Sequence, residues 1–222
     1  MRNGLGLYAG VAVMALQFAS AAHGAAIWNN GGPALFNQGG SEMSDTMQAE
    51  DIQLSTMTNL TSISFWSLQF SPSDYNGSIF WQIVGDASGS PDDLNVIGNG
   101  TATPSQTADG TVLGFSQFRN DFTINLIGIA AGTYWLELHN GPVTTTAFTD
   151  FYWSWADLDG TNTGTNRGME NGLNPVTGWT TNDNEHAFNI SGDAATAAPE
   201  PGTALLSFAA AGALAFLRGR KR

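Results

Sequence analysis

The sequence predicts an all-β protein, a jelly-roll-like antiparallel β-sandwich, and three observations carry that prediction. Segments rich in β-branched and aromatic residues show two-residue alternation, clusters of turn-forming residues separate them, and no 11-residue window outside the termini carries a helical stripe. In chain order the strand candidates are Leu60 to Phe70, Ser78 to Val84, Thr111 to Phe118, Asp121 to Ile127, Thr133 to His139 and Ala147 to Trp155. Shorter candidates near Ala49 to Leu54, Leu94 to Ile97 and Glu185 to Ile190 bring the total to about nine. Ser71 to Asp74, Gly85 to Asp93 and Asn99-Gly100 supply turns between them. Many short strands in one ordinary domain point to two stacked sheets.

Register is readable in three places. In Thr133 to His139, Tyr134, Leu136 and Leu138 share the face expected to meet the core, with Trp135, Glu137 and His139 on the other. Ser78 to Val84 is apolar on both faces, as a central or covered strand would be. Phe151, Trp153 and Trp155 lie on one side of their strand, opposite Tyr152 and Ser154.

Charge narrows the partners. The 222 residues include 19 acids and 7 bases, and no Cys, so disulfides and thiolate metal sites are excluded. Between Ala25 and Ala198 stand 18 acids and only Arg119 and Arg167, a formal charge of −16. Such a body repels phosphate backbones, which excludes nucleic-acid binding.

The two ends carry export signals. Arg2, an uncharged run from Leu5 to Ala19, and small residues from Ser20 to Ala26 have the three parts of a secretory signal peptide, with cleavage expected between Ala22 and Ala26. At the other end, Pro199, Glu200 and Pro201 precede an uncharged stretch from Gly202 to Leu217, and Arg218 to Arg222 form a basic cluster. As a helix this stretch would be about 24 Å long, shorter than the ~30 Å of a hydrocarbon core, which suits a temporary tether with its basic end held in the cytoplasm. The expected organisation is therefore a signal peptide over 1–25, an ectodomain over 26–192, a small-residue linker over 193–198 and a tail over 199–222.

That tail resembles the PEP-CTERM sorting signal of exported proteins in Gram-negative, exopolysaccharide-producing bacteria. The family pattern usually follows the tripeptide with Ser or Thr, whereas here Gly202 precedes Thr203. The resemblance implies transient inner-membrane insertion, cutting near Pro199, Glu200 and Pro201 by a membrane-embedded exosortase, and transfer to the cell surface or extracellular matrix. A looser similarity covers the body. Ala49-Glu50-Asp51, Asn59 to Trp66, Ala131 to Glu137, Gly178-Trp179 and Ala187 to Gly192 resemble the all-β ectodomains often attached to such tails, which implies a fold and a surface context but no activity.

Within the body two constellations are candidate sites. Trp153 and Trp155, with Phe151, form either a sugar-binding platform or part of the core, since aromatic side chains at strand spacing serve both ends. Asp157 and Asp159, followed by Gly160, Thr161 and Asn162, form either a calcium loop or an acidic solvated turn; Gly at the fourth position and Gly168 at the twelfth rule out an EF-hand. His139 and His186 fall in no zinc spacing and beside no nucleophile motif, and His139 is expected to be solvated or hydrogen-bonded. Expected function is thus a non-enzymatic surface or matrix protein, processed by signal peptidase and an exosortase-like enzyme and associated with extracellular polysaccharide. A carbohydrate-binding module, with or without calcium, is the alternative, and a secreted glycan-active enzyme the second.

Overall fold

The computed structural model describes residues 25–35, 38–156, 168–173, 178–182 and 184–195. They form an all-β fold, two antiparallel sheets packed as a β-sandwich. Its strands are β1 (Ala25–Asn29), β2 (Gly40–Glu42), β3 (Thr46–Leu54), β4 (Thr58–Gln69), β5 (Ile79–Asp86), β6 (Pro91–Ala102), β7 (Ser105–Val112), β8 (Phe115–Ile129), β9 (Gly132–Asn140), β10 (Phe151–Ser154), β11 (Met169–Gly172), β12 (Thr180–Thr181) and β13 (Phe188–Ala194). The sole helical segment among the described residues is one 3₁₀ turn at Pro72–Asp74, closed by a capping box between Ser71 and Asp74.

β4 organises the first sheet. One edge pairs with β8, which continues to β7; the other is shared by β13 along Thr58 to Phe65 and β10 along Ser67 to Gln69. β1 extends the sheet beyond β13, and β2 beyond β10. The second sheet runs β12-β11-β3-β9-β5-β6. Pairing of β13 continues through Asp193 and Ala194, into the segment expected as linker.

Between the sheets, Leu60, Ile63, Phe65, Phe122, Phe151, Trp153, Phe188 and Ile190 meet Ile52, Ile79, Trp81, Ile83, Leu136 and Leu138 in one apolar cluster. Phe65 anchors it, edge-on to both Phe122 and Trp153 with ring centroids 6.4 and 6.2 Å apart. Each such aliphatic or aromatic side chain, fully buried, contributes about 1.5–3 kcal/mol.

Several expectations are met. Leu136 and Leu138 face the core with Tyr134 against it, and β5 lies centrally between β9 and β6, which explains its two apolar faces. Others are corrected. Thr111 to Phe118 is not one strand, because Leu113 (φ 53°) and Gly114 (φ 90°) form a tight turn with two left-handed residues that joins β7 to β8. Asn99-Gly100 lies inside β6, where glycine leaves room for the Trp81 indole; a Cβ there would stand 3.1 Å from its Nε1. The face of β9 expected to be outward is also sealed: Trp135, Glu137 and His139 are wholly buried, Trp135 in a small cluster with Ala49, Val84 and Met169 under Trp179. Among the described residues thirteen strands stand where about nine were expected, the additions being mostly short edge pieces that carry little periodicity.

Candidate functional site

The two tryptophans do not share an exposed face: Trp153 belongs to the core, and Trp155 is partly buried. Trp153 is 0% exposed, its ring stacked on His186 at 4.8 Å and edge-on to Phe188, with Nε1 donating to the Ala187 carbonyl at 3.0 Å. Alternation carried the ring inward because Phe151, its neighbour two residues back, points at the core too. Trp155 is half-buried against Gly39 and donates to Ser41 Oγ at 3.1 Å. Asp157 and Asp159 lie outside the described residues, as do Pro199, Glu200 and Pro201 and the apolar stretch after them. Among the described residues no group of three His, Asp or Glu side chains is placed to hold a metal, and no helix is long and apolar enough to cross a membrane.

His139 and His186 are both interior. His139 is buried rather than solvated, with Nδ1 and Nε2 each 2.9 Å from a backbone carbonyl, those of Gly141 and Ser44. Burial holds its pKa below the ordinary value against the opposing pull of those carbonyls. His186 packs beside Glu50 on the inner face of the second sheet. One oxygen of Glu50 lies 2.5 Å from His186 Nδ1 and accepts the His186 amide at 2.7 Å. Burial, then the neighbouring Glu185 charge, pushes the Glu50 carboxyl well up, while burial pushes His186 down to about 3. Burial thus disfavours charge on both partners, and the pair ties the segment just before β13 to β3 as a structural strut. On the opposite face of the same sheet Glu137 accepts from Gln82 Nε2, and burial, aided by Asp93, pushes its carboxyl up to about 9.

The outer face of the first sheet is different in kind. Ser64, Trp66 and Leu68 alternate to this side along β4, facing Asp121, Arg119 and Gln117 of β8 across the ladder, and Phe70, just past the end of β4, meets Phe115. Tyr152 and Ser154 of β10 point to the same side, where Trp66, Leu68, Gln117 and Ser154 are buried and the exposed ground lies towards the two ends. At one end the rings of Phe70, Phe115 and Tyr152 pack edge-on in series, 5.7 and 5.6 Å between centroids, and Phe70 is 66% exposed. The Tyr152 hydroxyl donates to Asp150 at 3.0 Å, and burial followed by that carboxylate pushes the phenol up to about 12.

At the other end lies a cavity of about 340 Å³ lined by Ser62, Ser64, Ser105, Arg119, Asp121, Phe122, Thr123 and Ser191. Its polar groups are pre-set. Asp121 Oδ1 accepts from Ser64 Oγ at 2.5 Å and from Arg119 Nε at 3.0 Å, and the guanidinium lies over the Trp66 ring at 5.7 Å, whose Nε1 donates to Asp109 at 2.6 Å. Asp121 Oδ2 has no hydrogen-bond partner among the described residues. The cavity continues into an open recess of about 660 Å³ beside Thr101, Thr103 and Asn125, sharing Ser105, Asp121 and Thr123.

No single segment of the sequence carries the signature of this surface. Arg119 and Asp121 share one face of β8, but Ser64 lies 55 and 57 residues from them in the chain, and only the β4–β8 register brings it alongside. Arg119 alone carried a signal, as one of two bases in an acidic body. Comparison by sequence adds nothing to this picture: no protein-family model matches the chain, and no curated protein matches it.

Proposed function

We propose that the chain is an exported, non-enzymatic protein of the bacterial surface or extracellular matrix, released from a transient membrane tether and associated with exopolysaccharide. The observation that carries this reading is the ordered tail: Pro199-Glu200-Pro201, the uncharged stretch over 202–217, and the basic cluster over 218–222, in a chain that opens with a signal-peptide pattern. In this reading the tail is a PEP-CTERM sorting helix cut by an exosortase-like enzyme, and the sandwich is of the jelly-roll kind. A body with formal charge −16 supports it, since like charge keeps a secreted domain soluble among its copies. Mass spectrometry of the native protein from culture fluid and membranes tests it. The exported form should begin between Ala22 and Ala26 and lack the basic cluster; an exported form retaining Arg222 overturns cleavage-dependent sorting.

A second reading, a carbohydrate-binding module, is favoured by one observation: a hydroxyl-lined cavity and an exposed aromatic cluster share the outer face of the first sheet.

A further inference from the structure

We infer that the outer face of the first sheet binds an extended, neutral, hydroxyl-rich polysaccharide along β8, with Phe70, Phe115 and Tyr152 taking the apolar face of one sugar ring and Ser64, Arg119 and Asp121 the hydroxyls of another. This rests on the association with polysaccharide proposed above and assigns it a place and a ligand class.

Three features select that ligand. The first is the donor and acceptor set. Sugar hydroxyls both donate and accept, and the cavity offers serine and threonine hydroxyls of the same character beside a guanidinium that only donates and a carboxylate that only accepts. Arg119 and Asp121, 3.0 Å apart, are locked by each other and by Ser64, so little side-chain freedom is lost when a ligand arrives. Asp121 Oδ2 is left to receive a hydroxyl.

Charge is the second. Arg119 is the only Lys or Arg among the described residues, and Asp121 already offsets it. A polymer bearing a carboxylate on every ring would meet no net positive charge here and strong repulsion from the acidic body around it. A neutral chain meets neither.

Shape is the third. Phe115 and Asp121 stand on the same side of one strand, six residues apart, or about 20 Å at ~3.3 Å per residue. The aromatic cluster and the polar cavity therefore lie on one line; Gln117 and Ser154, hydrogen-bonded at 3.2 Å between them, are buried, so the ligand contacts fall at the two ends. An extended glycan chain spans both ends, whereas a free monosaccharide reaches one. The aromatic end supplies contact area and the polar end supplies orientation, the usual division of labour in sugar recognition.

Affinity electrophoresis of the exported protein through gels containing hydroxyethylcellulose, glucomannan, alginate or polygalacturonate tests this. The protein should be retarded by a neutral β-linked polymer and not by the two polyuronates. Asp121→Ala should weaken the retardation about tenfold and Phe70→Ala about fivefold, both with unchanged melting, because both side chains lie outside the apolar core. Retardation by polyuronates alone overturns the ligand class. Retardation by a neutral polymer that both variants retain moves the site elsewhere, while leaving the matrix assignment intact. No retardation by any of the four polymers removes the glycan site, and the sorting assignment then stands or falls on the processed ends. Phe70-dependent dimers in sedimentation, without retardation, would make the aromatic end a contact between copies and overturn the inference equally.

Discussion

Replacing Glu137 by Gln isolates the energetic consequence of sealing an acid beneath the outer face of the second sheet. Glu137 is 0% exposed, one oxygen accepts from Gln82 and the other has no partner, and its carboxyl is pushed from 4.5 to about 9. Burial is the leading cause, and the nearby Asp93 adds to it. Because the folded pKa is raised, the contribution to stability is complete below the unfolded pKa and is lost as pH rises toward the folded one. Between pH 4.5 and 9 the unfolded chain gives up a proton that the folded chain keeps, so stability falls by at most about 1.36 kcal/mol per pH unit. At pH 7 the accumulated cost is about 3 kcal/mol. Glu137→Gln keeps the shape and the acceptor for Gln82 but cannot ionise. Urea unfolding followed by tryptophan fluorescence, from pH 5 to 8, should show the variant gaining on the parent at every step toward alkaline pH. Glu42 and Glu50, whose carboxyls are also raised by burial, are common to both proteins and cancel in the difference. A stability difference independent of pH across this range would mean that Glu137 is ionised in the folded protein, and the burial argument would fail.

Three further outcomes follow from packing and backbone. Trp153→Ala should cost about 3–5 kcal/mol in denaturant unfolding, since it opens a cavity beside Phe65, Phe188 and His186. Asn120→Ala should cost about 1–3 kcal/mol by the same measurement; the side-chain amide of Asn120 donates to Ser67 Oγ and the carbonyls of Phe65 and Phe118, and all are deep in the ladder. Leu113→Asn should raise stability by about 1 kcal/mol, read as a higher Tm, because Leu113 is held at φ 53° in the β7–β8 turn and asparagine accepts that conformation more readily.

What was legible in the sequence was what alternation records. The faces of β9, the double-sided burial of β5 and the inward direction of Phe151 and Trp153 all follow from period-two patterning, and the structure places them accordingly. Patterning of that kind describes one strand against its immediate faces. It says nothing of a second layer, so the covering of Trp135, Glu137 and His139 was invisible, and their polarity argued for solvent. Turn chemistry misled in both directions for local reasons. Leu113 occupies a left-handed position that leucine rarely takes, while Asn99-Gly100 serves a close approach to Trp81 rather than a reversal of the chain. The candidate surface was hidden for a different reason. Phe70, Phe115 and Tyr152 lie on three strands, and Ser64 and Asp121 are 57 residues apart, so no single segment carries the pattern. The strand chosen as the aromatic platform was part of it, but through Tyr152 on its outward side rather than Trp153 on its inward one.

The central claim is that the working surface of this protein is the outer face of the sheet built on β4 and β8. Nuclear magnetic resonance of the ¹⁵N-labelled protein during titration with glucomannan reads it directly, since Arg119 Nε–H and Trp66 Nε1–H report on that face while Trp153 Nε1–H, bonded to the Ala187 carbonyl, reports on the core. The account predicts that the Arg119 and Trp66 signals and the amides of Ser64, Phe115 and Asp121 move together while Trp153 stays fixed. Shifts confined to the second sheet or to the β6 edge, with Arg119 unmoved, would contradict it.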